Sequence, residues 1–236
     1  MSASKRQYPA QKGKYAIRVK GGDKWLPYDT VRMEISLGQQ YHESDKLSCA
    51  VEWVKNRFQN IVVLCNDTLQ RYNYAILQNN DPENFHGLTQ ENGIEWVTRN
   101  KKALENLKVI HWNHWLSQAE FDTTLAAVQT TYVENSIFKK AVDESLETVY
   151  SRWSRRGFIS QGSRLRFLEL SHRYIMEETA GLALAYKAYP GISAYPGSFL
   201  EMWRMFVGKD IKGPLQGLSN SHCIRIDFER RILQDT

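Results

Sequence analysis

Apolar positions along the first half of the chain alternate between strand-like and helix-like patterns. Residues 31–36 read as a short strand, and Leu47, Val51, Val54 and Phe58 then recur at helical spacing across 45–59. Residues 61–65 are apolar without interruption, as a parallel strand buried on both faces should be. A helix is predicted over 68–78, ending in the turn-rich Asn79-Asn80-Asp81-Pro82. Another follows over 91–107, then a strand over 108–112. From 119 to 150 the pattern is helical with a break near Asn135, and a further helix over 163–186 is entered through Gly162-Ser163. Residues 190–197 read as a loop that, with Tyr189 before it, holds two Tyr-Pro-Gly triplets, and 223–228 as a late strand.

This order predicts an α/β fold on a parallel sheet. Two parallel strands joined by a helix would bring the junctions at 35–42 and 61–73 to the same sheet edge. In open α/β sheets that edge is where ligands bind. Ser36 sits at the first junction, where a nucleophile could work.

A chain of 236 residues with 7 Trp, 12 Tyr and 9 Phe suits one large domain, 26–236. Residues 1–25 are basic and lack an apolar run, so they read as a flexible arm and as neither secretory signal nor membrane anchor. No segment reaches the roughly 20 apolar residues needed to span a bilayer. Three scattered cysteines, Cys49, Cys65 and Cys223, form no disulfide framework and point to a reducing, cytoplasmic setting. A net charge of +5 leans mildly towards polyanionic partners. Monomer and homodimer both remain open.

Five features then occur in one register: Ser36-x-Gly38-x-x-Tyr41, Asp67-Thr68-Leu69-Gln70-Arg71, Ile110-His111-Trp112, Tyr174-Ile175-Met176-Glu177-Glu178 and Tyr195-Pro196. In order and spacing they resemble the tRNA-dependent cyclodipeptide synthases, over nearly all of 31–228. The resemblance implies a Rossmann-like fold akin to the catalytic domain of class I tyrosyl- and tryptophanyl-tRNA synthetases. It implies an aminoacyltransferase that joins amino acids from two aminoacyl-tRNAs into a 2,5-diketopiperazine, with no cofactor. Gln39, Tyr195 and Pro196 match the subgroup signature of a variable residue, Tyr and Pro.

By that resemblance Ser36 accepts the first aminoacyl group and later carries the dipeptidyl group. Ester-for-ester exchange is nearly energy-neutral and needs neither ATP nor a metal. Gly38 allows close backbone approach to an oxyanion. Tyr174 and Glu178, four apart on one helix face, would hold the α-ammonium, while Glu177, about 100° round the helix, faces solvent. Tyr195 would relay a proton during cyclisation, although Tyr189-Pro190-Gly191 offers a second possible register. Arg99, Lys101 and Lys102 fall in the helix expected to bind tRNA, against the plainer reading of a solvated charged face.

Glu34, Leu64, Asn66 and Trp112 would line the pocket for the first amino acid. A buried Glu and Asn are poorly satisfied by apolar side chains, which implies a polar or cationic substrate such as His or Arg. The competing reading is an Arg32–Glu34 pair that neutralises itself. His111 and His114, three apart without a nearby carboxylate or cysteine, make a poor zinc site, so no metal is expected.

Two other classes stay open: a serine esterase or amidase, and a non-catalytic tRNA-binding module. For the first, Glu34 occupies the position where a Gly-x-Ser-x-Gly elbow has glycine.

Overall fold

The computed structural model describes residues 15–20, 26–197 and 202–230. Its six strands are β1 (Tyr15–Lys20), β2 (Thr30–Ser36), β3 (Asn60–Asn66), β4 (Lys108–His111), β5 (Ile192–Pro196) and β6 (Cys223–Arg230). They form one sheet in the order β1-β6-β5-β2-β3-β4. From β6 to β4 every pairing is parallel. The helices are α1 (Ser44–Lys55), α2 (Arg71–Gln78), α3 (His86–Arg99), α4 (Asn113–Leu116), α5 (Phe121–Glu134), α6 (Ser136–Arg155) and α7 (Arg164–Ala188). The predicted break at Asn135 is a helix cap: its Oδ1 accepts the amides of Ile137 and Phe138.

Three expectations need correction. The sheet is mixed, because β1 joins β6 antiparallel, and so 15–20 of the expected arm is an edge strand; 1–14 and 21–25 lie outside the described residues. The expected loop at 190–197 contains β5, a central strand between β2 and β6. Pairing on both sides overrides the turn chemistry there, and Pro196 is tolerated as the last residue of the strand. The helix expected to reach 107 stops at Arg99, because Asn100 leaves helical geometry and its side-chain amide bonds back to the Trp96 carbonyl, 3.0 Å away. Among the described residues no helix is long and apolar enough to cross a membrane.

The two faces of the sheet differ chemically because alternate residues point to opposite sides. Val31, Met33, Ile35, Val63, Cys65, Ile192 and Ala194 pack with Leu47, Val51 and Val54 of α1 and Trp96 of α3 in an apolar core. The other set on β2 is Arg32, Glu34 and Ser36, and Asn66, Ser193 and Tyr195 share its side. Over it lies α7, whose residues Ile175 to Tyr186 are all buried. Helix and sheet approach closely at Gly181, where a Cβ would fall 2.3 Å from the Trp112 ring.

Candidate active site

At the carboxyl edge of the sheet β2 ends in a tight turn, with Gly38 at φ +81°. Ser36 Oγ lies 3.1 Å from the Tyr195 hydroxyl at the end of β5. Of the two Tyr-Pro-Gly tyrosines, Tyr195 is the one that reaches Ser36; Tyr189 accepts a hydrogen bond from Lys108 Nζ at 2.6 Å. Burial pushes the Tyr195 phenol up, so it is neutral and can pass a proton without becoming an anion. Ser36 Oγ therefore faces a hydroxyl rather than an imidazole. That weighs against the esterase or amidase alternative, which needs a general base at the serine to activate it.

Across this edge α7 presents Tyr174 and Glu178. Asn66 Nδ2 donates to Glu178 Oε1 at 3.2 Å, and the Tyr174 phenol lies near Glu178 and Gln70. Burial, with Glu34 nearby, pushes the Glu178 carboxyl up to about 8. Burial likewise raises the Tyr174 phenol well above its usual value. Two carboxyl groups thus share one buried region.

Glu34 accepts the Tyr186 hydroxyl at 2.6 Å and forms no ion pair with Arg32. Arg32 is wholly buried and donates elsewhere: to Ser193 Oγ and to the carbonyls of Tyr189, Gly191 and Asn220. Its guanidinium stacks 4.0 Å above the Tyr186 ring. The self-neutralising pair is therefore not formed. Leu64 and Trp112 are fully buried on the same face as Glu34 and Asn66. Among the described residues Asn66 Oδ1 and Trp112 Nε1 are buried polar atoms without a hydrogen-bond partner. Gln39 is exposed, and its carbonyl accepts the His42 amide; Pro196 is buried, and its carbonyl meets His42 Nε2 at 3.0 Å.

No protein-family model matches the sequence, and no curated protein matches it. Solved structures do match. A CDPS from Fluoribacter dumoffii superposes with a TM-score of 0.78, over 92% of this chain and 99% of that one, at 20% identity. The chain has the cyclodipeptide synthase fold. A cyclodipeptide synthase from Candidatus Glomeribacter gigasporarum bound to Phe-tRNAPhe matches at 0.61, covering 88% of this chain and 90% of that one, at 20% identity. A Mycobacterium tuberculosis protein, whose structure relates cyclodipeptide synthetases to type I tRNA synthetases, matches at 0.63 and 13% identity, covering 98% of this chain and 100% of that one.

Within this cyclodipeptide synthase fold, two of the sequence expectations change. Glu177 is buried, not solvent-facing: Arg71 grips both its oxygens, at 2.7 and 2.5 Å, and Tyr72 donates at 2.9 Å. Helical geometry put Glu177 off the face of Glu178 correctly, but α2 covers that second face too. The reason for discounting a metal is also corrected, because folding brings Cys65 and Asp67 to His111, with ligand atoms within 4.8 Å of one another. Asp67 is already engaged, however. Oδ1 accepts the amides of Thr68 and Trp112, and Oδ2 meets His111 Nδ1 at 2.6 Å.

A cleft of about 470 Å³ opens beside the Ser36 turn, bordered by Leu37, Gly38, Gln70, Asn92, Arg99 and Trp153. Arg99 is not a free cation, since Glu43 binds it at 2.7 and 3.2 Å. Lys101 and Lys102 are exposed in the turn after α3. The sequence reading passed over Arg152, Arg155 and Arg156, which flank Trp153. All three are exposed, and among the described residues none has a carboxylate within ion-pair distance. Tyr186 was also missed, although it lies eight residues from Glu178, two helical repeats along the same face. His42, the last residue of the 35–42 junction, carried no role in the sequence reading.

Proposed function

We propose that this chain is a cyclodipeptide synthase acting on two aminoacyl-tRNAs. The observation that carries the reading is Ser36 Oγ against the neutral Tyr195 hydroxyl, at the sheet edge facing Glu178. In the first step Ser36 Oγ attacks the aminoacyl ester carbonyl. The C–O bond to the ribose breaks, and the serine proton passes through Tyr195 to the departing ribose oxygen. The α-ammonium sits against Glu178 and Tyr174, where a cation offsets the cost of ionising a buried carboxyl. The ammonium of aminoacyl-Ser36 then loses a proton to solvent, and the amine attacks the second aminoacyl ester. The C–O bond to that ribose breaks, the amine's next proton goes to the departing ribose oxygen, and a dipeptidyl enzyme results. Its free amine finally attacks the ester to Ser36, releasing the diketopiperazine and restoring the serine. The Ser36 amide is engaged by His42, so the oxyanion donors are the amides of the Gly38 turn.

The first amino acid is polar or cationic. Glu34, Asn66 and Trp112 support this: Glu34 is a buried carboxyl group, and the unpartnered Asn66 Oδ1 acceptor and Trp112 Nε1 donor are costly beside an apolar side chain. Expression in bacteria, followed by mass spectrometry of the medium and then assays with purified aminoacyl-tRNAs, tests both statements. Cyclic dipeptides containing a polar or cationic residue are expected. Products built only from Leu, Met or Phe would overturn the specificity, and silence with every aminoacyl-tRNA would overturn the reaction. Glu34→Leu is expected to move the product ratio towards apolar residues by about tenfold or more.

The tRNA rests on exposed cations around the cleft, with Lys101 and Lys102 joined by Arg152, Arg155 and Arg156. Each phosphate contact removed should flatten the slope of log affinity against log salt by about 0.7–0.9. Reversing the two lysines, and separately the three arginines, to glutamate and titrating tRNA at several salt concentrations measures this. Unchanged slopes in both variants place the tRNA on another surface.

A further inference from the structure

Strands β2 and β5 pair only from Val31–Ile192 to Met33–Ala194. Beyond that point the ladder stops, yet the two residues that must meet, Ser36 and Tyr195, lie past its end. The gap is bridged by one side chain. His42 is fully buried in a single 3-10 turn, Gln40–His42. Its Nε2 lies 3.0 Å from the Pro196 carbonyl, and its Nδ1 lies 2.9 Å from the Ser36 amide. The ring edge packs on Tyr195 with centroids 5.1 Å apart and planes at 79°. The backbone of His42 is itself pinned, because Trp96 Nε1 donates to its carbonyl at 2.9 Å and its amide bonds Gln39.

We propose that His42 is a positioning residue that sets the Ser36–Tyr195 geometry by taking the place of the missing β2–β5 rungs. This rests on the reading of Ser36 as the acyl carrier. The imidazole suits the task because it carries a donor and an acceptor on opposite edges of a rigid plane. Nε2 faces only the Pro196 carbonyl in these bonds whereas Nδ1 faces the Ser36 amide, so the bridge has Nε2 bearing the proton and the Nδ1 lone pair accepting the Ser36 N–H. The Ser36 carbonyl also lies 2.8 Å from Nδ1, a contact that becomes a hydrogen bond only when Nδ1 carries a proton. Burial keeps the ring neutral by pushing its pKa below the ordinary value. In that state the serine amide is held, and with it the start of the Gly38 turn. Freed of the bridge, the ends of β2 and β5 lose a polar tie that does not involve the reacting hydroxyls, and Oγ drifts from Tyr195.

Two variants separate positioning from packing. His42→Phe keeps a ring against Tyr195 but removes both polar atoms, whereas His42→Gln keeps one donor and one acceptor. Acylation of Ser36 from a single aminoacyl-tRNA is followed by intact mass under single turnover, beside tRNA affinity and Tm. The Phe variant should acylate on the order of 10²-fold slower, the effect of misplacing a reacting atom by about 1 Å, with tRNA affinity unchanged. The Gln variant should recover at least about tenfold of that loss. Wild-type acylation in the Phe variant, or a Gln variant no faster than Phe, overturns the proposal. The ¹⁵N spectrum of wild-type imidazoles gives a readout independent of activity and of variant folding. One ring with a protonated Nε2 and a bare Nδ1, not titrating through neutrality, is expected; a protonated Nδ1 overturns the bridge. If none of the aminoacyl-tRNAs acylates the wild type, the proposed function fails while the tautomer still decides the bridge.

Discussion

Ser36→Ala is expected to lose cyclic dipeptide formation by about 10⁴-fold or more, the scale seen when a covalent nucleophile is removed. The wild type, given one aminoacyl-tRNA and no second substrate, should accumulate a protein heavier by the aminoacyl group, and the variant should not. The change removes one half-buried oxygen that, among the described residues, hydrogen-bonds the Tyr195 hydroxyl alone. Stability should therefore move by no more than about 0.5 kcal/mol, as for substitutions away from packed features. An intact-mass spectrum with the same adduct in both proteins would place the acyl group on another residue. An alanine variant that still makes product without an adduct would point to direct transfer between the two tRNAs.

Glu178→Gln should cost about 2–5 kcal/mol of transition-state stabilisation, or roughly 30- to 4,000-fold in kcat/KM, because a bound ammonium loses its buried counter-charge. Its effect on stability has the opposite sign. Glu178 titrates at about 8 when folded against an ordinary 4.5. Between those values the folded chain holds a proton the unfolded chain has released, so stability falls as pH rises through that window and levels off above it. Glutamine cannot ionise, so the variant escapes this fall. Its Tm should exceed that of the wild type by a margin that widens as pH climbs towards 8 and closes towards the ordinary carboxylate range. Denaturation followed across pH, beside steady-state kinetics, separates the two effects. A variant that keeps wild-type kcat/KM, or one less stable than the wild type at pH 8, would remove Glu178 from the ammonium site.

Both predictions depend on residues the sequence singled out by local pattern. Ser36 lies at a strand end before a turn-forming Gly38, and Tyr174 and Glu178 share a helix face at i and i+4. These signals are short in range and survive without knowledge of the fold. The errors were of another kind. Residues 190–197 have the composition of a loop, and only pairing with β2 and β6 makes a strand of 192–196. Glu177 sits on a helical face that would be solvated if α7 had a single neighbour, but α2 brings Arg71 to it from 106 residues away. Arg99 looked like a free cation until α3 placed it against Glu43. Cys65, Asp67 and His111 read as unrelated because nothing local indicates that β3 and β4 end side by side.

By itself the sequence determined the alternation of strands and helices, the serine at a strand end, the tyrosine and glutamate on one helix face, and the family pattern that joins them. Those properties follow from backbone period, turn preference and residue order, which the chain carries locally. The tertiary structure alone decided that β5 lies beside β2, that Tyr195 rather than Tyr189 meets Ser36, that Arg32 turns from Glu34 to four other acceptors, and that His42 spans the open end of the ladder. Strand order is a contest among long-range pairings, settled by which arrangement buries the most apolar surface while satisfying every polar group. No local segment holds that information.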